Sequence, residues 1–131
     1  MVLDLTDGRG ADVIVDPVGG DVFDRSRKCV AFEGRIVIVG FAGGRIAELR
    51  TNHPLLKNYS VIGLNFGQYR TRDRAGVVAA HAELVRLHEQ GLLDPVVAEE
   101  VPFEEAPAAM ARVSDRARVG RIVVRGPGGR G

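Results

Sequence analysis

Two short apolar runs, each ending in glycines, constrain the fold more than any other feature of this sequence. The first lies in ADVIVDPVGG, residues 11–20, and the second in GRIVIVGFAGG, residues 34–44. Each run is continuous rather than alternating, which is typical of strands buried on both faces of a parallel sheet. We therefore predict strands over residues 11–16 and 35–40.

The segment between the two runs has the pattern of a helix. Asp21 is its predicted N-cap, and Gly34 stands where a left-handed C-terminal residue belongs. Apolar residues recur seven apart at Val22 and Cys29. The two strands and this helix form one βαβ unit, whose crossover we expect to be right-handed.

Further elements follow along the chain. We expect a loop over residues 43–58, broken by Pro54, and then a third strand over about 59–66. The C-terminal part is predicted to contain a helix capped by Thr71 or Asp73 and ended by Gly91, a strand over 96–101, a helix with Ala106, Met110 and Val113 on one inner face, and a strand over 120–125.

The composition excludes several classes of function. The 18 Lys and Arg residues nearly balance the 17 Asp and Glu residues, which argues against nucleic acid or an anionic membrane as a partner. The single cysteine, Cys29, excludes an intrachain disulfide and a cysteine-rich zinc site. Because no apolar stretch approaches the length of a membrane span, we expect a cytoplasmic protein.

The glycines that end the two apolar runs are the best candidates for a binding site. In an open α/β sheet, ligands bind at the carboxyl ends of the strands, where glycine lets the backbone approach a cofactor. The same glycines could simply make tight turns. Asp16 is either a polar ligand or a residue that shapes the turn. His81 and His88 would lie about 10 Å apart along a helix, too far to share a metal ion.

Three blocks of the sequence together resemble the C-terminal part of the quinone oxidoreductases, zinc-independent members of the medium-chain dehydrogenase/reductase superfamily. The blocks are GADVIVDPVGGDVFDRSRKCVAFEGRIVIVGFAGG, LLKNYSVIGLNFGQYRTRD and VPFEEAPAAMARVSDRARVGRIVV. The resemblance covers residues 2–125. It implies an α/β fold, namely the second half of a Rossmann-type doubly wound parallel sheet with strand order 3-2-1-4-5-6, plus a C-terminal strand-helix-strand segment.

The resemblance also implies how the chain is organised. Residues 1–95 would form part of a dinucleotide-binding domain, residues 96–125 the closing segment of a GroES-like catalytic domain, and residues 126–131 a disordered tail. The glycine-rich phosphate turn of the family follows the first strand of the sheet, which this chain lacks. We therefore expect a C-terminal fragment that is inactive alone.

The function implied by the resemblance is hydride transfer from NADPH to a quinone or enone, with NADH not excluded as the cofactor. No residue is assigned as a catalytic acid or base, and no metal ligand is expected. A homodimer through residues 60–66 is implied as well. The nicotinamide would be held by the turns that follow three strands, at Gly19, Gly20, Gly40, Phe41, Ala42, Leu64, Asn65 and Phe66.

A second interpretation belongs to a different class of function. The chain could be a non-catalytic α/β interaction module, or the product of a truncated gene that only assembles with other chains. An upstream sequence encoding a strand and a glycine-rich turn would favour the enzyme fragment.

Overall fold

The computed structural model of the chain describes residues 1–113 and 119–127. It divides into two compact units, Met1–Arg74 and Ala75–Gly131. The elements of the first unit are α1 (Val2–Leu5), β1 (Ala11–Asp16), α2 (Gly20–Cys29), β2 (Val30–Ile38), α3 (Asn52–Lys57), β3 (Ser60–Gly63) and α4 (Phe66–Arg72).

The first unit is built on a three-stranded parallel sheet in the order β1-β2-β3. Residues Arg35–Ile38 of β2 pair with Val13–Asp16 on one side and with Ser60–Gly63 on the other. The strand predicted over 11–16 and the parallel α/β arrangement are thus confirmed. The strand predicted over 35–40 is present but runs from Val30 to Ile38, so it begins earlier and ends sooner than expected. Parallel pairing brings the carboxyl ends of all three strands to one edge.

The core of this unit lies on β2. Ile36 has no solvent-exposed surface and belongs to one buried cluster with Phe23 of α2, Val30 and Tyr59. Burying side chains of this size stabilises a fold by roughly 1.5–3 kcal/mol each. Partly buried residues pack around the cluster, namely Ile14, Ile38, Ala47, Leu49 and Val61.

The ends of helix α2 differ from the prediction. Its N-cap is Gly19, with φ +71°, and not Asp21, which lies in the first helical turn. The helix ends at Cys29 because Val30 is already extended, with φ −70° and ψ 138°. The expected helix therefore starts earlier and stops sooner than its apolar pattern indicated.

Gly34 does not have the left-handed conformation that was predicted for it. That conformation belongs to Glu33, with φ +57°, whereas Gly34 lies within β2. Glycine is needed at position 34 for a different reason. A Cβ there would lie 2.9 Å from the carbonyl oxygen of Ala31, closer than side chains are normally found.

The segment predicted to be a loop over 43–58 contains helix α3. Pro54 is the third residue of this helix, where the missing N–H is one of those that a helix start leaves unpaired in any case. Asn58 ends the helix in the left-handed conformation, with φ +49°. A proline in the first turn thus begins this helix rather than preventing it.

The third strand is shorter than predicted. It ends at Gly63, and α4 begins at Phe66 with Asn65 as its N-cap, so the expectation of a strand reaching residue 66 is wrong. The amide of Leu64 still donates to the carbonyl of Ile38, at 2.9 Å. The chain leaves the sheet directly after that hydrogen bond.

The second unit contains most of helix α5 (Arg74–Glu89), strands β4 (Val97–Pro102) and β5 (Arg121–Arg125), a 3₁₀ turn (Phe103–Glu105) and α6 (Ala106–Arg112). β4 and β5 pair in parallel. Helix α5 ends as predicted at Gly91, with φ +70°. The amides of Gly91 and Leu92 donate to the carbonyls of His88 and Leu87, which is the Schellman arrangement.

The inner face predicted for the last helix is wrong. Ala109 is its buried residue, whereas Met110 and Val113 are 69% and 61% exposed. Ala109 is three residues after the partly buried Ala106, so the inward stripe follows the i, i+3 spacing of alanines rather than the larger apolar residues.

Within the residues that the structure describes, no helix is long and apolar enough to cross a membrane. Of the predicted disordered tail, residues 128–131 lie outside the described part of the chain. The boundary expected at residue 95 and the GroES-like assignment of residues 96–125 stay predictions.

Candidate functional site

A cavity of about 590 Å³ opens at the carboxyl ends of β2 and β3. We call it the first cavity. Five residues predicted from the sequence line it together: Gly40, Phe41, Leu64, Asn65 and Phe66. Its volume lies within the range that protein sites use for small molecules and cofactors.

The sequence missed four residues of this lining. Ile38, Val39, Gly63 and Gly67 also border the first cavity. Ile38 and Gly63 are cross-strand partners at the last pair of the β2–β3 ladder. The single glycine in YSVIGLNF is the sequence signal that could have pointed to Gly63. In the structure, a Cβ at this position would meet no atom within 4 Å, so the backbone there is open.

The turn after β1 is held by a buried carboxylate. Asp16 is 1% exposed, and its Oδ1 accepts hydrogen bonds from the amides of Val18, at 2.9 Å, and Gly19, at 2.8 Å. Of the two roles considered for Asp16, this geometry supports the shaping of the turn. Because both amides share this one buried acceptor, its loss would leave two backbone donors without a partner.

The turn after β2 is fixed to the turn after β1. The amide of Ala42 donates to the carbonyl of Pro17, at 3.0 Å, and the amide of Gly43 donates to that of Val18, at 2.9 Å. Ala42 therefore contributes to this link and does not line the first cavity. Gly40 lies where the turns approach: a Cβ there would lie 3.1 Å from the Pro17 oxygen, so that carbonyl would have to shift slightly to admit a side chain.

Gly19 and Gly20 lie away from the first cavity. Gly19 borders a separate cavity of about 70 Å³, together with Phe41 and Asp16. Gly20 begins α2 beneath Arg45, whose carbonyl oxygen would lie 3.1 Å from a Cβ at position 20. These two glycines therefore allow close packing between α2 and the turn that covers it.

Charges also distinguish the start of α2 from a phosphate site. Arg45 forms ion pairs with Asp21, at 2.8 Å, and with Asp24. The hydrogen bond from Arg45 holds the pKa of Asp24 below its ordinary value, so this carboxylate stays ionised at neutral pH. Two carboxylates thus already lie near the positive end of the helix dipole.

A second cavity, of about 430 Å³, adjoins the first. Both cavities are bordered by Gly63, Leu64 and Asn65. The aromatic rings of Phe66, in the first cavity, and Tyr69, in the second, stack with their centroids 6.2 Å apart. The other residues that line the second cavity are Gln68, Arg72 and Asp73.

Potential metal ligands are scattered in the described parts of the chain. Over residues 1–113 and 119–127, no group of three or more His, Cys, Asp or Glu side chains is placed to hold a metal ion. These residues do not fit a zinc ion, so we derive no chemical step through one.

A parallel βαβ sheet with a cavity at the carboxyl ends of its strands is the architecture of the doubly wound α/β class, in which ligands bind at that edge. Within this class, the family model described as zinc-binding dehydrogenase matches residues 1–124. The chain therefore belongs to this oxidoreductase family, within the medium-chain dehydrogenase/reductase superfamily.

Individual relatives agree with this assignment. The chain is 36% identical to quinone oxidoreductase-like protein 2 of Bos taurus over 120 residues, which cover 92% of this chain and 34% of that protein. It therefore spans about a third of the length of this relative.

Two solved structures have a similar fold. A quinone oxidoreductase from Pseudomonas syringae is 26% identical and has a TM-score of 0.78, with 95% of this chain and 38% of that chain covered. A mycobacterial protein complexed with NADPH has a TM-score of 0.82 at 22% identity, covering 95% and 38%, which shows a common fold.

Proposed function

We propose that this chain is the C-terminal part of an NADPH-dependent quinone oxidoreductase and supplies the nicotinamide side of its cofactor site. The observation that carries the proposal is the first cavity, where the turns after β2 and β3 meet. The cavity lies where the second half of a doubly wound sheet receives its ligand. The family assignment supports the type of reaction.

The residues of the first cavity fit a flat heteroaromatic ring. Gly40 and Gly63 leave backbone accessible at the ends of two neighbouring strands, and Phe41 and Phe66 add aromatic surface. The side-chain amide of Asn65 can donate and accept hydrogen bonds, as recognition of a carboxamide requires. A bound nicotinamide would supply the hydride, so the protein's task is to position it.

The remaining expectations belong to the same proposal. The acceptor is a quinone or an enone, NADPH is the cofactor with NADH as the alternative, and the protein is cytoplasmic and independent of zinc. Residues 96–125 close a GroES-like domain. The chain alone is inactive, because the pyrophosphate of the cofactor needs a helix N-terminus with a glycine turn that is open to an anion. At the Gly19–Gly20 start of α2, Asp21 and Asp24 already pair with Arg45.

The proposal can be tested by titrating the purified chain with two halves of the cofactor, followed by amide NMR. Nicotinamide mononucleotide should shift the amides of Gly40, Phe41 and Leu64 at millimolar concentration, whereas adenosine 2′,5′-bisphosphate should not. Intact NADPH should bind weakly by calorimetry. Submicromolar binding of NADPH, or no effect of the mononucleotide on these amides, would contradict the half-site.

We also propose a homodimer through residues 60–66. The strand part of this segment is limited to Ser60–Gly63, and β3 is an outer strand of its sheet, with Ile62 44% exposed. Such an edge presents unpaired backbone groups to a second chain. Light scattering should show a dimer at high micromolar concentration that Ile62→Lys combined with Leu64→Lys dissociates. A monomer in the wild-type chain would be incompatible with this contact.

A further inference from the structure

The cavity of about 70 Å³ beside Asp16 contains one charged group in an otherwise apolar wall. We call it the inner cavity. The segment that joins β2 to α3 borders it through Phe41, Ala47 and Leu49. Among the described residues that line it, Asp16 alone is charged, and the others are glycine, alanine and larger apolar residues. A ligand in this cavity would therefore meet apolar surface and a single carboxylate.

One oxygen of that carboxylate is not used by the turn. Oδ1 of Asp16 accepts the amides of Val18 and Gly19, whereas Oδ2 is buried and has no hydrogen-bond partner in the part of the chain that the structure describes. A buried acceptor without a donor is unfavourable, and a ligand that donates to it recovers part of that free energy. Asp16 is 1% exposed, so the inner cavity is the adjoining space from which such a donor can come.

Backbone oxygens add to the acceptors at this end of the inner cavity. A Cβ on Gly19, which borders the cavity, would lie 3.3 Å from the carbonyl oxygen of Arg45 and 3.8 Å from that of Gly40. Acceptor oxygens therefore converge around Gly19 and Asp16. An ammonium group carries three N–H donors and no acceptor, which matches such an arrangement.

The rest of the wall suits a short alkyl group attached to a cation. Leu49 and Val61 are aliphatic, and Phe41 adds an aromatic ring, whose face attracts positive charge. The ring of Phe23, which also borders the cavity, already lies under the guanidinium of Arg27, 5.9 Å from guanidinium carbon to ring centroid. Phe41 is thus the ring that remains for a ligand.

The volume of the inner cavity limits the size of the ligand. A cavity of about 70 Å³ is larger than one water molecule requires and is roughly half the volume of an engineered cavity that binds benzene. It therefore has room for about two to four non-hydrogen atoms.

We propose that the inner cavity binds a small primary alkylammonium ion, of the size of methylammonium to propylammonium. The ammonium group donates to Oδ2 of Asp16, and the alkyl group packs against Leu49 and Val61. The inner cavity shares only Ile38 and Phe41 with the first cavity, and the proposal does not depend on a cofactor there.

The test compares two probes of nearly equal shape on the purified chain by NMR. Ethylammonium is charged at pH 7, as a lysine side chain is, whereas ethanol is neutral. Ethylammonium should give nuclear Overhauser effects to the methyl groups of Ala47, Leu49 and Val61. Its Kd should be about 1–20 mM and about tenfold below that of ethanol. Equal binding of both probes would overturn the proposal, and so would the absence of these effects, as expected if water alone occupies the cavity.

Two further cations separate this site from a general attraction of positive charge. Hexylammonium has the same head group but exceeds the volume of the inner cavity, so it should give no such effects at these methyl groups. Potassium ions should displace ethylammonium at least about tenfold less well than methylammonium does, because they lack N–H donors. Equal binding of hexylammonium, or equal displacement by potassium, would overturn the assignment to a small alkylammonium ion.

Two carboxylate substitutions provide the matched comparison. Asp16→Asn keeps the oxygen that the turn amides use and replaces Oδ2 with a donor, so the preference for ethylammonium over ethanol should be lost. Asp12→Asn removes an exposed carboxylate of the same strand that is not part of the inner cavity, and it should retain the preference. A preference that survives Asp16→Asn, or that disappears with Asp12→Asn, would contradict the role of Asp16. The two probes on the wild-type chain decide the proposal even if Asp16→Asn does not fold.

Discussion

The two ends of the three-stranded sheet are built in opposite ways. At the amino end, backbone segments pack without space between them: a Cβ on Gly10 would lie 2.5 Å from the carbonyl oxygen of Cys29. Side chains close the same end, with Tyr59 only 7% exposed. At the carboxyl end, a Cβ on Gly63 would meet nothing within 4 Å, because the strand opens into the two cavities.

The carboxyl end is itself divided into a fixed part and an open part. The Asp16 side chain holds the turn after β1, and backbone hydrogen bonds join this turn to the turn after β2. The residues after β3 border both cavities instead. The contrast indicates that the amino end and the first two turns supply rigidity, and that the turn after β3 supplies most of the contact surface.

The largest expected change in stability comes from adding a methyl group at the amino end of the sheet, compared with the same addition at the carboxyl end. Gly10→Ala should lower the free energy of unfolding by about 2–4 kcal/mol, because position 10 has φ +88° and no room for a Cβ. Gly63→Ala, the matched control, should change it by less than about 0.5 kcal/mol. Urea unfolding followed by circular dichroism measures both, and equal losses would remove the distinction between the two ends.

The next effect tests the fixed part of the carboxyl end. Asp16→Ala should cost about 2–3 kcal/mol, since it leaves the amides of Val18 and Gly19 without their acceptor in a buried site. Asp16→Asn keeps an oxygen at that position and should cost about 1 kcal/mol or less. Amide hydrogen exchange at Val18 and Gly19 should accelerate in the alanine variant only. Unchanged exchange there would show that the backbone alone holds the turn.

The smallest expected effect is a change in how stability depends on pH, through a histidine at the amino end of the sheet. Nδ1 of His53 lies 3.0 Å from the phenol oxygen of Tyr59. Burial lowers the pKa of His53, and the positive charges of Arg27 and Lys57 lower it further. The unfolded chain therefore binds a proton more readily than the folded one below about pH 6.5.

The stabilisation linked to His53 is thus complete above pH 6.5 and is lost as the pH falls through the lowered pKa of the folded state. His53→Gln should flatten this part of the stability profile while the response above pH 7 stays the same. Thermal unfolding of both proteins at pH 7.5 and 5.5 measures the difference. Parallel profiles would show that this histidine is not linked to folding.

Several features of both units could be predicted from local patterns. The apolar run at 11–16 pairs as a parallel strand, and Gly91 ends helix α5 by the hydrogen bonds that a left-handed residue permits. The conformation of each segment is favoured by the residues next to it in the sequence. Prediction from the local sequence was wrong where two conformations fit the same residues. Pro54 suits either a loop or the first turn of a helix, and the structure has the helix.

The candidate site shows the same division. The glycine turns were candidates from the sequence pattern, because parallel strands must end at one edge. Phe41, Ala42 and residues 64–66 were implied only by the resemblance to the family. The sequence did not show which of these candidate residues lie together. In the structure, Gly40 and Phe41 border the first cavity with residues 64–66. Gly20 instead packs beneath Arg45, and Ala42 bonds to the turn after β1.

The sequence by itself predicted the strands, their parallel direction and the edge at which a ligand could bind, since apolar runs and turn residues act over short distances along the chain. The order of the strands was implied only by the resemblance to the family. Only the tertiary structure decided that Asp16 is buried as a turn acceptor, that Met110 faces solvent, and that a polar cavity with Arg72 adjoins the first. Each of these depends on residues distant in sequence that fill, or leave open, the space around a side chain.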